Sequence, residues 1–311
     1  MKRKILSVFM VLVLAIGCIF SLTACGNANE DYQELVKAAA KDYYAKHDDY
    51  KNFDDITIEY TGSTSESRES AAEGKMDSEK TEASQKVAVK KVDGEYVLVS
   101  ETNATVDETV WQLKEGSETE YEEVKSTTVS SKKVVFGTKT ENSVTIYFAV
   151  QETSVKIDDE EAIEAKTYML FINKDAYVAS VESVMRDIAD VMNSFYRTGN
   201  KSTLIELELE GAEVELEVKK EDATLKASIS DYSVSSYSGY TDSTMEETIT
   251  FVGGKASAIS MSMNMTGAKM SNVMAQGATI AYSADVPTIS SFDGYTIGSV
   301  SLNGLVPDLN F

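Results

Sequence analysis

The sequence predicts an α+β protein dominated by antiparallel strands, with one helix ahead of the strands and one between them. Three observations carry this. Apolar and polar residues alternate along many short runs, the period of a half-buried strand. Two segments switch to spacings of three and four, the period of an amphipathic helix. The turn pairs Asp93-Gly94 and Gly253-Gly254 separate strand-like runs, while the only two prolines, Pro287 and Pro307, stand near the C-terminus, away from the central strands.

The chain opens with Lys2, Arg3 and Lys4, followed by an apolar stretch, Ile5–Phe20, broken only by Ser7, Gly17 and Cys18. A basic start, a short apolar segment and small residues at its end mark a secretory signal. A membrane span would need roughly 20 apolar residues. The segment closes on Leu22-Thr23-Ala24-Cys25, which resembles the type II signal of bacterial lipoproteins: an aliphatic residue, two small residues, then cysteine. The resemblance implies cleavage between Ala24 and Cys25, diacylglycerol on the Cys25 thiol and anchoring on the extracytoplasmic face of the cell membrane. Two or more acyl chains anchor stably where one binds reversibly. Arginine is scarce after the leader (Arg68, Arg186, Arg197) while lysine is common, a bias that points to a Gram-positive source.

Composition bounds the rest. Of the two cysteines, the lipoprotein resemblance implies that Cys18 leaves with the leader and Cys25 is lipidated. No thiol then remains for a disulfide, a zinc site or a nucleophile, so the fold must rest on its apolar core. The formal net charge of −22 argues against nucleic acid, whose phosphates demand Lys and Arg. It also argues against electrostatic attachment to anionic lipid heads.

After a polar tether at residues 25–30, residues 31–47 read as a helix. Tyr32, Leu35, Val36, Ala39, Tyr43, Tyr44 and His47 share one face. His47, the only histidine, reads as a packed residue or a dipole partner at the helix end. Ile56, Ile58 and Tyr60 then alternate. Residues 61–86, rich in Ser, Glu and Thr, read as a long exposed hairpin or an unstructured loop. Strand-like runs follow at Val87–Val92, Tyr96–Glu101, Thr109–Leu113, Val124–Phe136 and Val144–Val150. Thr167–Ile172 reads as a further strand, with Asn173-Lys174-Asp175 as a turn into a strand at Ala176–Ser180. A second helix is expected over about 182–197, with Val184, Met185, Ile188, Val191, Met192 and Phe195 as its stripe.

Beyond it, Ile205, Leu207 and Leu209 alternate with Glu206, Glu208 and Glu210. After Gly211-Ala212, Val214, Leu216 and Val218 alternate with Glu213, Glu215 and Glu217. A two-residue turn would put all six glutamates on one face, with Lys226 opposite Glu217; a slip of one residue would bury them. Leu225–Ile229, Thr248–Val252, Ala256–Met265, Thr279–Tyr282 and Tyr295–Leu302 complete the strands. The expected organisation is a leader (1–24), a tether (25–30) and one β-rich domain (31–311). That domain divides into two meander halves, about 50–180 and 200–311, around the second helix.

No catalytic residue is expected: no serine stands in a Gly-x-Ser-x-Gly elbow and the sole histidine has no evident partner. The glutamate face reads as solvated and lysine-patched, with a cation or basic-partner site as the alternative, and the acidic run 158–161 reads as a loop. Met261, Met263 and Met265 read as an inward strand face or pocket lining, with Cu(I) ligation by their thioethers as the alternative. No cofactor and no resident metal is expected.

The segments Thr167–Glu182 and Glu247–Met265, each a strand, a polar turn and a returning strand, resemble the LolA/LppX-like lipoprotein-carrier superfamily. This resemblance is one of architecture. It implies a curved sheet, an incomplete barrel, packed on helices over a hydrophobic cavity, lined here by Met185, Ile188, Met192, Met261, Met263 and Met265. The leading expectation is therefore a membrane-anchored module that binds a lipid or other apolar ligand. The rival is a structural, interaction or sensing lipoprotein with a filled core, binding an envelope protein through its acidic surface. The third is a lipoprotein that binds Cu(I) or calcium.

Overall fold

A computed structural model of the 311-residue chain describes residues 26–47, 55–200, 212–230 and 239–307. Among the described residues two helices, α1 (Gly26–His47) and α2 (Lys174–Asn200), accompany twelve strands. These are β1 (Ile56–Glu69), β2 (Met76–Val92), β3 (Glu95–Leu113), β4 (Tyr121–Glu141), β5 (Val144–Ile157) and β6 (Ile163–Leu170) before α2. After it come β7 (Ala212–Lys219), β8 (Asp222–Ser230), β9 (Asp242–Val252), β10 (Lys255–Thr266), β11 (Met270–Ala281) and β12 (Thr296–Ile297).

All twelve strands form one sheet in the order β12-β6-β5-β4-β3-β2-β1-β11-β10-β9-β8-β7. Every adjacent pair is antiparallel except β12 with β6. The expected α+β class, an incomplete barrel packed on helices, is thereby overturned. The described chain is a mainly-β protein built on a single continuous sheet, and its helices cover only one end of it. No pairing joins β7 to β12 among the described residues. The physical reason is the length of the strands. The polar stretch 61–86, where sequence left a loop open, is continuous ladder: β1 and β2 pair from Ile56↔Val89 to Glu69↔Met76. The two meanders meet where β1 pairs with β11, from Thr57↔Ala281 to Arg68↔Met270.

Tight hairpins build most of this sheet. Asp93 (φ 52°) and Gly94 (φ 85°) both adopt positive φ, as do Asn142 with Ser143 and Gly253 with Gly254. Two consecutive positive-φ residues match the right-handed twist of the flanking strands.

The core lies at one end. Tyr32, Val36, Ala39 and Tyr43 of α1 and Val181, Val184, Met185, Ile188, Met192 and Phe195 of α2 bury their stripes on Ile56, Ile58, Val87, Leu98, Phe136, Leu225 and Phe251. Helix α2 begins eight residues earlier than its periodicity suggests, at Lys174, and the strand expected at Ala176–Ser180 is helical. Asn173 is the cause. Its Oδ1 accepts a hydrogen bond from the Ala176 N–H at 2.9 Å, capping the helix. Tyr177, 1% exposed, then donates its hydroxyl to the Tyr96 carbonyl oxygen at 2.6 Å.

The expected closing strand at Tyr295–Leu302 is also corrected: only Thr296 and Ile297 pair, parallel to Thr167 and Tyr168. The segment is a strap that wraps the β6 edge. On the helix-free face, Thr57 donates to the Ser283 carbonyl oxygen at 2.7 Å. Phe292 stacks on Tyr168 with centroids 4.6 Å apart and meets Phe148 edge-on at 5.0 Å. Past β12 the strap returns along the helix side, where Ser100 donates to the Leu305 carbonyl oxygen at 2.7 Å and Leu305 is buried. With helices on one side and strap on the other, the strands here are buried on both faces. Ile56-Thr57-Ile58, Val87-Ala88-Val89 and Val134-Val135-Phe136 are each buried at all three positions.

Candidate functional site

Beyond the helices and strap the long strands continue with both faces open. Pairing register decides which side chains meet there. On the helix-free face, next to the strap-covered cluster, one row reads Glu59, Lys86, Glu101, Lys133, Glu152, Lys166 across β1 to β6. Ion pairs close Lys86–Glu59 at 3.3 Å, Lys133–Glu101 at 2.7 Å and Lys166–Glu152 at 3.7 Å. Tyr295 of the strap donates its hydroxyl to Glu152; burial first, then this bond, pushes that phenol up to about 12. Alternating signs directly opposite one another stabilise a register, because a slipped pairing sets like charges together.

The next two rows are almost uncharged. One runs Asn103, Ser84, Thr61, Gly277, Ser260, Thr248 across β3, β2, β1, β11, β10 and β9. The other runs Thr105, Glu82, Ser63, Ala275, Ser262, Glu246 across the same strands. Together they line a shallow groove of about 620 Å³. A second groove, of about 420 Å³, shares Asn103 and continues toward β6 over Ser131, Ser154 and Glu164. Small hydroxyl, amide and glycine positions form the floor of the first, with carboxylates at Glu82 and Glu246 near its two ends. Such a surface offers hydrogen bonds rather than apolar contact, and no part of it carries a nucleophile–base pair.

On the helix-side face, where the edge of α1 borders the open half, lies a different patch. Met245 of β9, Met263 of β10 and Met274 of β11 stand directly opposite one another. Met261 lies two residues along β10 and faces Glu247 of β9. Glu247 is 6% exposed, and burial lifts its carboxyl to about 7. No hydrogen bond or ion pair reaches that carboxyl among the described residues. The neighbouring Tyr32 hydroxyl of α1 is itself buried without a hydrogen-bond partner among the described residues, and burial followed by the Glu247 charge raises its pKa.

The residues singled out from sequence scatter across this frame. Ala24, Cys25, the glutamates 206, 208 and 210 and the turn at Gly211 lie outside the described residues. Met185, Ile188 and Met192 are fully buried in the apolar cluster beneath the helices, away from both grooves. Met261 and Met263 are half-buried, with Met261 among the residues lining the first groove, and Met265 is 3% exposed. Glu213, Glu215 and Glu217 are exposed on β7. Lys226 stands opposite Glu215 rather than Glu217, because the turn at Lys220-Glu221 sets Lys219 against Asp222. No group of three or more His, Cys, Asp or Glu poised to hold a metal occurs among the described residues. None of their helices is long and apolar enough to cross a membrane. The charge row and the groove escaped sequence reading because each collects only a few residues from each of six strands. Met245 and Glu247 were missed for the same reason; an acidic residue at an inward position of β9 was the one available signal.

No protein-family model and no curated protein matches the chain. Among solved structures it is similar to the transport unit of the autotransporter AIDA-I from Escherichia coli, at 11% identity and a TM-score of 0.22, covering 84% of this chain and 100% of that one. It is also similar to the translocator domain of the autotransporter NalP from Neisseria meningitidis (7%, TM-score 0.19, 81% and 95%). The β domain of the Bordetella autotransporter BrkA is a third (5%, TM-score 0.20, 73% and 99%). At these scores the resemblance assigns neither fold nor function.

Proposed function

We propose that this chain is a lipid-anchored extracytoplasmic lipoprotein that recognises a partner on the open half of its sheet and does not carry a lipid inside. The anchor rests on the Leu22-Thr23-Ala24-Cys25 signal. The mode of binding rests on one observation: beneath α1 and α2 the described residues form an apolar cluster of deeply buried side chains, whereas the two polar grooves lie on the uncovered strands. Acidic ends and a floor of hydroxyl groups suit a neutral or cationic polar partner, such as a segment of another envelope protein.

Two measurements test the reading. Cells fed an alkyne fatty acid should label the chain, and Cys25→Ala should abolish the label; label retained in that variant removes the anchor. Native mass spectrometry of the protein released from detergent should give the mass of the chain with its own covalent lipid. A further, stoichiometric non-covalent lipid would restore the carrier reading.

A further inference from the structure

We infer that the methionine patch on the helix-side face is a binding site for one soft monovalent d¹⁰ cation, Cu(I) by preference, held by thioethers from three adjacent strands and neutralised by Glu247. Register places the donors. Met263 has Met245 directly across on one side and Met274 on the other. Directly opposed side chains begin about 4.5–5.5 Å apart at Cβ, and a methionine's rotatable bonds let such neighbours converge their sulfurs on one point. Met261 joins from two residues along the same strand and the same face, and brings Glu247 with it.

Thioethers are neutral and soft. They select Cu(I) over calcium or magnesium, but they do nothing to balance a cation's charge. Glu247 supplies that balance. A carboxyl on a residue only 6% exposed is costly without a hydrogen bond or ion pair, and the described residues bring no lysine or arginine to it. A cation seated among the methionines gives the charge a counterpart and the carboxyl a ligand role. Ions that prefer oxygen donors find a single carboxylate here and are rejected. Met261 also borders the groove on the opposite face, whereas Met245, Met263, Met274 and Glu247 are not among the residues that line it, so variants at Met263 and Met274 test the site apart from the partner-binding reading.

The test uses the full chain in detergent, without oxygen for Cu(I), and Ag(I) as a redox-inert probe. Titration should show one saturating ion per chain, with a rise in melting temperature that Ca²⁺ does not produce. X-ray absorption on the Cu(I) form should show sulfur neighbours in the first shell. The double change Met263→Leu with Met274→Leu, which conserves volume, should weaken Ag(I) binding by at least about tenfold. Met185→Leu, in the helix-covered core, should leave it unchanged. Circular dichroism checks that the variants fold. Absence of saturable binding to the unaltered chain overturns the proposal. So does a first shell without sulfur, or affinity undiminished in the folded double variant.

Discussion

Replacing Glu247 with glutamine should make the protein more stable at neutral pH, although it removes a native carboxylate. The carboxyl titrates near 7 in the folded chain, against an ordinary value of 4.5. Below pH 4.5 it is protonated whether or not the chain is folded, and contributes no difference. Between 4.5 and 7 only the folded chain keeps the proton, so stability falls as pH rises; above 7 the charge is buried and the deficit is complete. Each tenfold change in proton affinity is worth about 1.36 kcal/mol, so the buried charge costs the metal-free protein about 3 kcal/mol at pH 8. No charged neighbour offsets this: across the strands stand Met261 and Ala227, and from α1 the Tyr32 hydroxyl. Urea denaturation of both proteins from pH 4 to pH 8, with chelator present, isolates the term, because every other carboxylate is common to the pair. The glutamine variant should match the parent near pH 4 and gain up to about 3 kcal/mol by pH 8. A difference that does not grow with pH, or a variant that is weaker at pH 8, would refute the assignment of a buried, unpaired carboxylate.

Three other substitutions probe the sheet. Lys133→Glu would set three carboxylates in a row between Glu101 and Glu152; it should cost about 1 kcal/mol at low ionic strength and less in salt, read by denaturant midpoints. Ser143 sits at φ 64° in the β4–β5 turn, a conformation only glycine adopts without strain, so Ser143→Gly should raise stability by up to about 1 kcal/mol in the same assay. Phe292→Ala removes the ring that joins the strap to Tyr168 and Phe148. It should cost about 2 kcal/mol and speed limited proteolysis within residues 282–307, while an unchanged cleavage rate would show that the strap is held elsewhere.

Sequence period revealed what one-sided burial writes into a chain. The α2 stripe and the Asp93-Gly94 hairpin were legible because each alternates between core and water or needs a particular backbone. The stretch 61–86 was ambiguous because both of its faces are open, and a strand with no buried face has no period. Conversely, Ile56-Thr57-Ile58 read as alternating although the strap buries Thr57 as well. The start of α2 hid in Asn173-Lys174-Asp175, which suits a turn as well as a helix cap. The fold class went astray for a related reason: helices announce themselves strongly, while the polar strands that dominate this sheet do not. The charge row, the groove and the methionine patch exist only after register is known, since neighbours such as Glu59 and Thr279 are far apart in the chain and Met245, Met263 and Met274 come from three different strands.

Chain growth delivers the strap after β1 to β11. Until it arrives, β6 is a bare edge, with unpaired backbone groups ready for any other strand. A chain stopped before Tyr282 would retain every hairpin from β1 to β11. It would also leave Phe148, Val150 and Tyr168 uncovered beside that edge. Loss of residues 282–307 would therefore yield a sticky protein rather than a merely shorter one, prone to zip edge to edge with its own copies.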